Sequence, residues 1–257
     1  MDTNNGLPTP KCTSRTFRNS PLPQLNWGDP NEIWDSMLTR DQSYNRDAFL
    51  LIKNPLITAK MRSILLDWLS EVCEVFNLLR ETYYFALDFI DRYLSIKNDI
   101  ARQQLQLIGI TCLFIAAKIE EVYPPKLKEL AFVTDGACTE LEIIQKELVI
   151  METLNWSLHP VTVNKWLSIY MQLYSIIEKE NRSSLEERAT GDQFLNPNYS
   201  TTFFFQIAHL VDLSMLDIGS IRFDYDMIAA SAFYHFTSDE TVYTCTSKLL
   251  RLFCLLA

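Results

Sequence analysis

The segment from about residue 102 to 119 limits the fold most strongly, because it is apolar on nearly every side. A helix without a polar face is buried all round, so it belongs at the centre of a helical bundle. Gly109, Ala116 and Ala117 are small enough to let neighbouring helices approach closely. The charges and prolines of residues 120–125 end the segment. The sequence therefore predicts an all-α fold around one buried helix.

Periodic apolar residues predict four more helices around this segment, two before it and two after it. Thr58 and Thr139 stand where N-caps are expected, and Glu142 completes the Thr-x-x-Glu pattern of a capping box. A short amphipathic helix at residues 30–38 precedes them. The five main helices are predicted at about residues 58–76, 81–94, 102–119, 126–133 and 139–154. Together they predict one domain over residues 27–156.

The second half repeats the helical pattern less regularly. The polar stretch at residues 179–200 is typical of a loop, and residues 228–232 are apolar and small, like the central segment. We therefore expect a second domain over residues 157–257, built as another copy of the five-helix unit. Its predicted helices lie at about residues 161–178, 202–216 and 225–236.

Composition argues against several classes of protein. The formal net charge is -9, so a general basic surface for nucleic acid is not expected. The longest apolar run, residues 107–117, is about half as long as a bilayer span, and the polar N-terminus lacks the apolar core of a signal peptide. Six scattered cysteines indicate reduced thiols. We expect a soluble intracellular protein, with residues 1–26 disordered and no membrane partner.

The sequence carries no recognisable signal of catalysis or of cofactor binding. Its glycines are too widely spaced for a phosphate-binding loop, and no G-x-S-x-G elbow occurs. His159, His209 and His235 lie too far apart in sequence to form a metal-binding pattern. We therefore predict a protein that is not an enzyme and that holds no cofactor and no metal.

Several segments resemble the cyclin family. Residues 61–71 begin with Met-Arg-Ser-Ile-Leu and are similar to its first helix, which has Ala at the third position. Residues 89–95 resemble the second helix, and residues 114–125 resemble the third helix with its exit. Residues 131–138 and 154–156 look most like the E-type cyclins.

This resemblance covers about residues 22–240 and implies a tandem cyclin-box fold, in which two five-helix bundles each enclose a central helix. It also implies a regulatory subunit that activates a cyclin-dependent serine/threonine kinase at the G1/S transition, in the nucleus with a cytoplasmic pool. The likeness fades after about residue 240, and the chain ends in an apolar run at 249–257. We therefore expect the second box to be atypical or incomplete.

The resemblance assigns kinase-binding roles to five residues. Lys118 and Glu147 match a pair that hydrogen-bonds the kinase beside its mobile helix, and charge-assisted bonds can hold such a helix in its active position. From the pattern alone, they would be a helix cap and a solvated residue. Ile115, Ile119 and Trp156 match apolar positions that face the kinase, although each could equally belong to the core.

Other positions match a shallow groove that captures Arg-x-Leu segments of substrates and of kinase inhibitors. Its apolar floor would accept the leucine, and its acidic rim would attract the basic residue. From the pattern alone, such a stripe belongs to the core more often than to a docking site, and some of its side chains, Leu65 especially, could serve both purposes. The matching positions are Met61, Ile64, Leu65, Trp68 and Leu105 for the floor, and Glu71 and Gln106 for the rim.

Two further matches concern architecture and turnover. Arg62 and Asp91 match a pair that bridges the first two helices, which we interpret as structural because an unpaired buried charge is costly. Thr9, followed by Pro10, resembles the phosphodegron of E-type cyclins, which a ubiquitin ligase binds once the threonine is phosphorylated. A chance Thr-Pro pair in a flexible tail is the alternative.

Three other classes of protein compete with this interpretation. A cyclin-fold adaptor would bind partners without activating a kinase; a DNA-binding version needs a basic surface, and a pocket-protein version would lack the pair of Lys118 and Glu147. An α-solenoid predicts a strict short repeat, which the sequence does not show. An enzyme has the least support.

Overall fold

The computed structural model describes residues 20–23, 25–44, 46–182 and 199–237, which contain helices and turns but no strand. The predicted all-α class is confirmed for these ranges, in which no helix has both the length and the hydropathy of a membrane span. The helices are α1 (Pro30–Ser43), α2 (Leu50–Lys53), α3 (Ala59–Val75), α4 (Arg80–Ile96), α5 (Gln104–Glu120), α6 (Leu127–Phe132), α7 (Glu140–Thr153), α8 (Val163–Arg182), α9 (Thr201–Leu216) and α10 (Tyr225–Thr237), with a 3₁₀ helix at Ile218–Arg222 before α10.

The central helix is α5, as the sequence predicts. It packs against α3, α4, α6 and α7, which completes the first five-helix bundle. Ile108 and Leu113 on α5 are fully buried. A Cβ atom on Gly109 would lie 2.8 Å from Leu65 Cδ1, so the absence of a side chain there lets α3 approach α5 closely.

Capping side chains set the helix starts where the sequence predicts them. The hydroxyl of Thr58 accepts a hydrogen bond from the Met61 N–H at 3.2 Å. Thr139 and Glu142 form the capping box, in which the Thr139 N–H donates to Glu142 Oε2 at 2.8 Å. The predicted short helix is longer than expected, since α1 continues to Ser43.

The described part of the second half consists of α8, α9 and α10, which pack against one another, and the 3₁₀ helix. α8 packs against α4 and α9 packs against α3, so the two halves are in contact. The predicted start of the loop at 179–200 is wrong, since α8 continues to Arg182. Residues 177–182 are mostly good helix formers, which explains the longer helix. Residues 183–198, the first nineteen residues and everything after 237 lie outside the described residues, so the predictions for them stay predictions.

Candidate partner-binding surfaces

Lys118 and Glu147 form an ion pair between α5 and α7. Lys118 lies in the last turn of α5, and its Nζ is also 4.3 Å from the centre of the Phe114 ring. The side chains are 40% and 12% exposed, respectively. Partial burial lowers the pKa of Lys118. The adjacent carboxylate and ring favour the charged form, so the pair presents two opposite charges side by side at the surface.

The outer face of α7 is apolar and exposed beside this ion pair. Leu141, Ile144 and Leu148 are 64%, 50% and 50% exposed and follow the spacing of one helix face. Ile143 and Ile150 lie on the inner face and are fully buried. Contiguous exposed apolar side chains mark a binding site for a partner. The sequence analysis missed these three residues, and their i, i+3, i+7 spacing was the signal that could have found them.

The three apolar positions predicted to face a kinase differ in exposure. Ile115 is 2% exposed and belongs to the core, so the structure favours the core role that the sequence left open for it. Ile119 is partly buried against the core. Trp156 is exposed, and it follows α7 with a positive φ of 57°. Phe132, which the sequence analysis missed, is also exposed and ends α6, which packs against α7.

Most of the predicted docking groove lies on one face of α3. Met61, Ile64, Trp68 and Glu71 are spaced along this face; Ile64 and Glu71 are exposed, and the other two are partly exposed. Val75, one turn beyond Glu71 on the same face, is also exposed and extends the stripe. This stripe is therefore available to a partner along most of α3.

Two predicted floor positions of the groove are core residues in the structure. Leu65 and Leu105 are 6% and 7% exposed and belong to the apolar core. Leu65 turns towards Gly109 at the contact between α3 and α5, and the assignment of both residues to the floor of the groove stays a prediction. They support the stripe from beneath. Gln106, in the first turn of α5, is partly exposed.

Arg62 and Asp91 form the predicted ion pair, and both side chains are buried. Arg62 Nε donates to Asp91 Oδ1 at 2.7 Å, and Nη2 donates to Oδ2 at 2.6 Å. Nη1 donates to the carbonyl oxygens of Met215 and Leu216, at the end of α9, at 3.0 and 3.3 Å. Burial opposes the charged form, but the charge and hydrogen bonds of Asp91, together with Tyr225 and Tyr83, outweigh burial and raise the pKa of Arg62. The pair therefore connects α3 to α4, and it also connects both helices to the end of α9 in the second half of the chain.

A second buried network, which the sequence analysis missed, joins the N-terminal helix to both halves. Arg46 contacts Asp41 at 3.0 Å and Asp88 at 3.1 Å, and its guanidinium carbon lies 3.4 Å from the centre of the Tyr225 ring. Trp166 Nε1 donates to Asp41 Oδ2 at 3.2 Å. Burial raises the pKa of Asp41, and Arg46 partly offsets this rise. Asp41 and Arg46 are five residues apart, but no local pattern signals the contacts with Asp88, Trp166 and Tyr225, because these residues lie far away in sequence.

The part of the chain that the structure describes shows neither a cluster of metal ligands nor an exposed free cysteine. No three His, Cys, Asp or Glu side chains there lie close enough to hold a metal ion. Cys73, Cys112 and Cys138 are free and buried. Burial raises the pKa of Cys73 to about 12, so its reactive thiolate form is scarce at neutral pH.

The cyclin N-terminal domain family matches residues 32–159, which include α3 to α7. The G1/S-specific cyclin-E1 of Gallus gallus is 49% identical over 223 residues, covering 87% of this chain and 52% of that protein. The chain belongs to the cyclin family. The G1/S-specific cyclin-E of Hemicentrotus pulcherrimus is likewise 49% identical, over 229 residues that make up 89% of this cyclin and 52% of that protein. The chain spans about half the length of these relatives.

A solved structure supports the fold. The X-ray structure of a viral cyclin from herpesvirus saimiri matches 80% of this cyclin and 82% of that chain, with a TM-score of 0.63 and 22% sequence identity. At this identity the match speaks for the fold alone. The cyclin-box prediction is thereby confirmed.

Proposed function

We propose that this cyclin is a regulatory subunit that binds and activates a cyclin-dependent serine/threonine kinase at the G1/S transition, without catalytic activity of its own. One observation carries the proposal: the exposed apolar face of α7 lies beside the ion pair of Lys118 and Glu147. An apolar stripe of this kind accepts an amphipathic helix of a partner, and a charged pair at its edge fixes the register of that helix. The similarity to G1/S-specific E cyclins supports the stage of the cell cycle.

The ion pair is pre-organised to bind the end of a helix. The Lys118 ammonium has three donors, of which Glu147 takes one. Glu147 Oε2 has no hydrogen bond to any residue that the structure describes. The remaining groups can bind the free carbonyl and amide groups at a terminus of the kinase helix. Because the two side chains already hold each other, little conformational entropy is lost on binding.

Selective binding explains activation. A protein kinase needs an internal Lys–Glu ion pair, which forms only when its mobile helix is turned inwards. Moving an equilibrium from 1:99 to 99:1 takes about 5.5 kcal/mol of differential affinity. Leu141, Ile144 and Leu148 are 64%, 50% and 50% exposed, so covering what is still exposed contributes half or somewhat more of the roughly 1.5–3 kcal/mol of a whole side chain each, before the costs of association. The face of α7 can therefore supply a large part of the shift if it binds only the active arrangement, and the bonds of Lys118 and Glu147 to the kinase helix would add to it.

The exposed stripe on α3 is proposed to recruit substrates and inhibitors with Arg-x-Leu segments. Ile64 and Trp68 would contact the leucine, and Glu71 would attract the basic residue. Phosphorylated Thr9 is proposed to bind a ubiquitin ligase. The protein is proposed to reside in the nucleus with a cytoplasmic pool, without nucleic-acid or membrane partners.

Kinase activation by the purified cyclin tests the proposal. Cell-cycle kinase subunits are mixed with the cyclin, and phosphorylation of a basic Ser-Pro peptide is measured. The Lys118→Ala/Glu147→Ala variant should lose most of the activation. The Lys53→Ala/Asp47→Ala variant is the matched control, because Lys53 is also 40% exposed and pairs with Asp47 at 2.7 Å.

The outcomes separate the competing functions. Activation that is lost only in the Lys118/Glu147 variant supports the activator and locates its interface. Binding without activation would favour the adaptor. If a folded cyclin binds none of the kinases, or if both double variants behave alike, the proposed interface is wrong.

A further inference from the structure

Phe114 lies on α5 one turn before Lys118, and the proposed kinase interface leaves it without a role. The Lys118 Nζ lies over the Phe114 ring, 4.3 Å from its centre. Residues four apart on a helix meet on the same face, so this contact is built into α5 itself. The ring is partly buried against the apolar core, which fixes its position. Lys118 is therefore held from two helices, by Phe114 on α5 and by Glu147 on α7.

This contact differs from two buried contacts of the same kind. The guanidinium groups of Arg46 and Arg92 also lie over aromatic rings, at 3.4 and 4.6 Å from the nearest ring centres. Their side chains are only 5% and 7% exposed and bind buried carboxylates, so those contacts serve the core. The Lys118 side chain is 40% exposed. Its contact with Phe114 therefore serves a surface that a partner can reach.

A neutral ring suits this position better than a second acidic side chain would. A flexible lysine side chain loses conformational entropy when it is held in one place, and a support that is already in position reduces that loss on binding. A second carboxylate would give the site a net negative charge, which repels the carbonyl oxygens of a partner. The ring instead attracts the ammonium through the electron density of its face.

The ring also opposes the effect of water exclusion. Partial burial lowers the pKa of Lys118, and a bound partner would remove more water from the ammonium. The attraction between a cation and an aromatic ring becomes stronger when both are desolvated. Phe114 therefore favours the charged form of Lys118 most in the complex, where the charge is needed.

We propose that Phe114 is a positioning residue for kinase activation, whose ring holds the Lys118 ammonium where the kinase helix binds it. The inference rests on the proposed function, because it assigns the support of the ion pair named there. Phe114 acts on the kinase through Lys118, so its effect on kinase binding should vanish when the ammonium is absent.

The first test uses the isolated full-length cyclin. Titration of the Lys118 side chain is followed by NMR, with the Lys118→Met variant identifying its signal. Phe114 is replaced by a ring-fluorinated phenylalanine, which keeps the shape of the ring and withdraws electron density from its face. The pKa of Lys118 should fall in this variant, because the charged form loses the attraction of the ring. A pKa that does not fall overturns the proposal.

The second test measures the affinity of the full-length cyclin for the cell-cycle kinase subunits of the activation assay. Phe114→Leu should weaken binding roughly three- to thirtyfold, the range expected for a contact of this kind between exposed and desolvated surroundings. Phe114→Tyr keeps an aromatic face and should bind like the parent. Phe76→Leu is the matched control, since Phe76 is also partly buried against the core, and its affinity should not change.

A double-mutant cycle separates positioning from a role in the fold. In the Lys118→Met background, Phe114→Leu should cause no further loss of kinase affinity. An equal loss in both backgrounds would show that the ring supports only the fold, which overturns this proposal and leaves the proposed function standing. If Lys118→Met itself leaves kinase affinity and activation unchanged, the proposed interface is wrong and the role of Phe114 is overturned with it.

Discussion

Replacement of Arg62 by alanine should lower the free energy of unfolding by about 3–5 kcal/mol. This is the usual cost of leaving one member of a buried ion pair without its partner. Asp91 is 1% exposed and would be left buried without its ionic partner. The carbonyl oxygen of Met215 would lose this donor as well, whereas that of Leu216 would keep the hydroxyl of Ser63 as a donor. A typical domain has about 5–15 kcal/mol of stability in total, so the variant should unfold at much lower urea concentration.

A double-mutant cycle separates the two parts of this cost. Arg62→Met/Asp91→Leu removes both charges, and apolar replacements of buried ion pairs are often neutral. The double variant should therefore recover most of the lost stability and keep a deficit of about 1–3 kcal/mol from the carbonyl group of Met215. Stability is measured by urea unfolding followed by circular dichroism. The more exposed Lys53 is the control, since Lys53→Ala should cost less than about 1 kcal/mol. A similarly small loss for Arg62→Ala would refute the reasoning.

Three further predictions concern packing, docking and pH. Gly109→Ala should lower the free energy of unfolding by about 1–3 kcal/mol in urea, because its Cβ would overlap Leu65; a more stable variant would show that helix propensity outweighs the contact. Ile64→Asp should abolish binding of an Arg-x-Leu peptide in fluorescence anisotropy while leaving activation towards a short peptide without that motif, and unchanged peptide binding would exclude the α3 stripe. Burial raises the pKa of Glu81 above its ordinary 4.5 despite hydrogen bonds from Thr162 and Asn164. The folded state then holds the proton more tightly, so this group stabilises the fold most below pH 4.5 and loses that contribution as the pH rises through its folded pKa. Urea unfolding of Glu81→Gln should lack this decline, and parallel pH curves for the variant and the parent would contradict the assignment.

Local sequence patterns were sufficient for the helices of the first box. The hydrogen bonds of Thr58, and of Thr139 with Glu142, connect residues three positions apart, so their pattern is visible in the sequence and the structure shows them. The all-apolar character of α5 likewise placed it at the centre of the bundle, since a helix without a polar face has no other stable position.

The sequence was less informative about which side of a helix faces outwards. α7 carries Ile143 and Ile150 on one face and Leu141, Ile144 and Leu148 on another. Periodicity marks both faces as apolar and cannot show which one the neighbouring helices cover. The same limit applies to the groove, where the sequence left open whether Leu65 and Leu105 belong to the core, and the structure places them there. Whether an apolar residue is exposed or buried in these helices depends on where it lies within the bundle.

Contacts between the halves were invisible for another reason. Arg62 and the carbonyl oxygen of Met215 are 153 residues apart, and Asp41 and the indole of Trp166 are 125 apart. Such pairs depend on how whole helices are arranged, so no window of sequence contains them. The pair of Lys118 and Glu147, 29 residues apart, came from family resemblance and not from periodicity.

The shared polar groups of the two halves bear on how this protein can be divided. Arg62 and Ser63, on the helix that carries the docking stripe, donate to the carbonyl oxygen of Leu216 at 3.3 and 2.8 Å. A fragment cut after residue 156 would keep both donors and lose their acceptor, and Asp41 would lose the indole of Trp166. The boundary that is natural in the sequence is therefore a poor place to separate the protein, and expression of the first box alone should yield a weakened fold with altered docking.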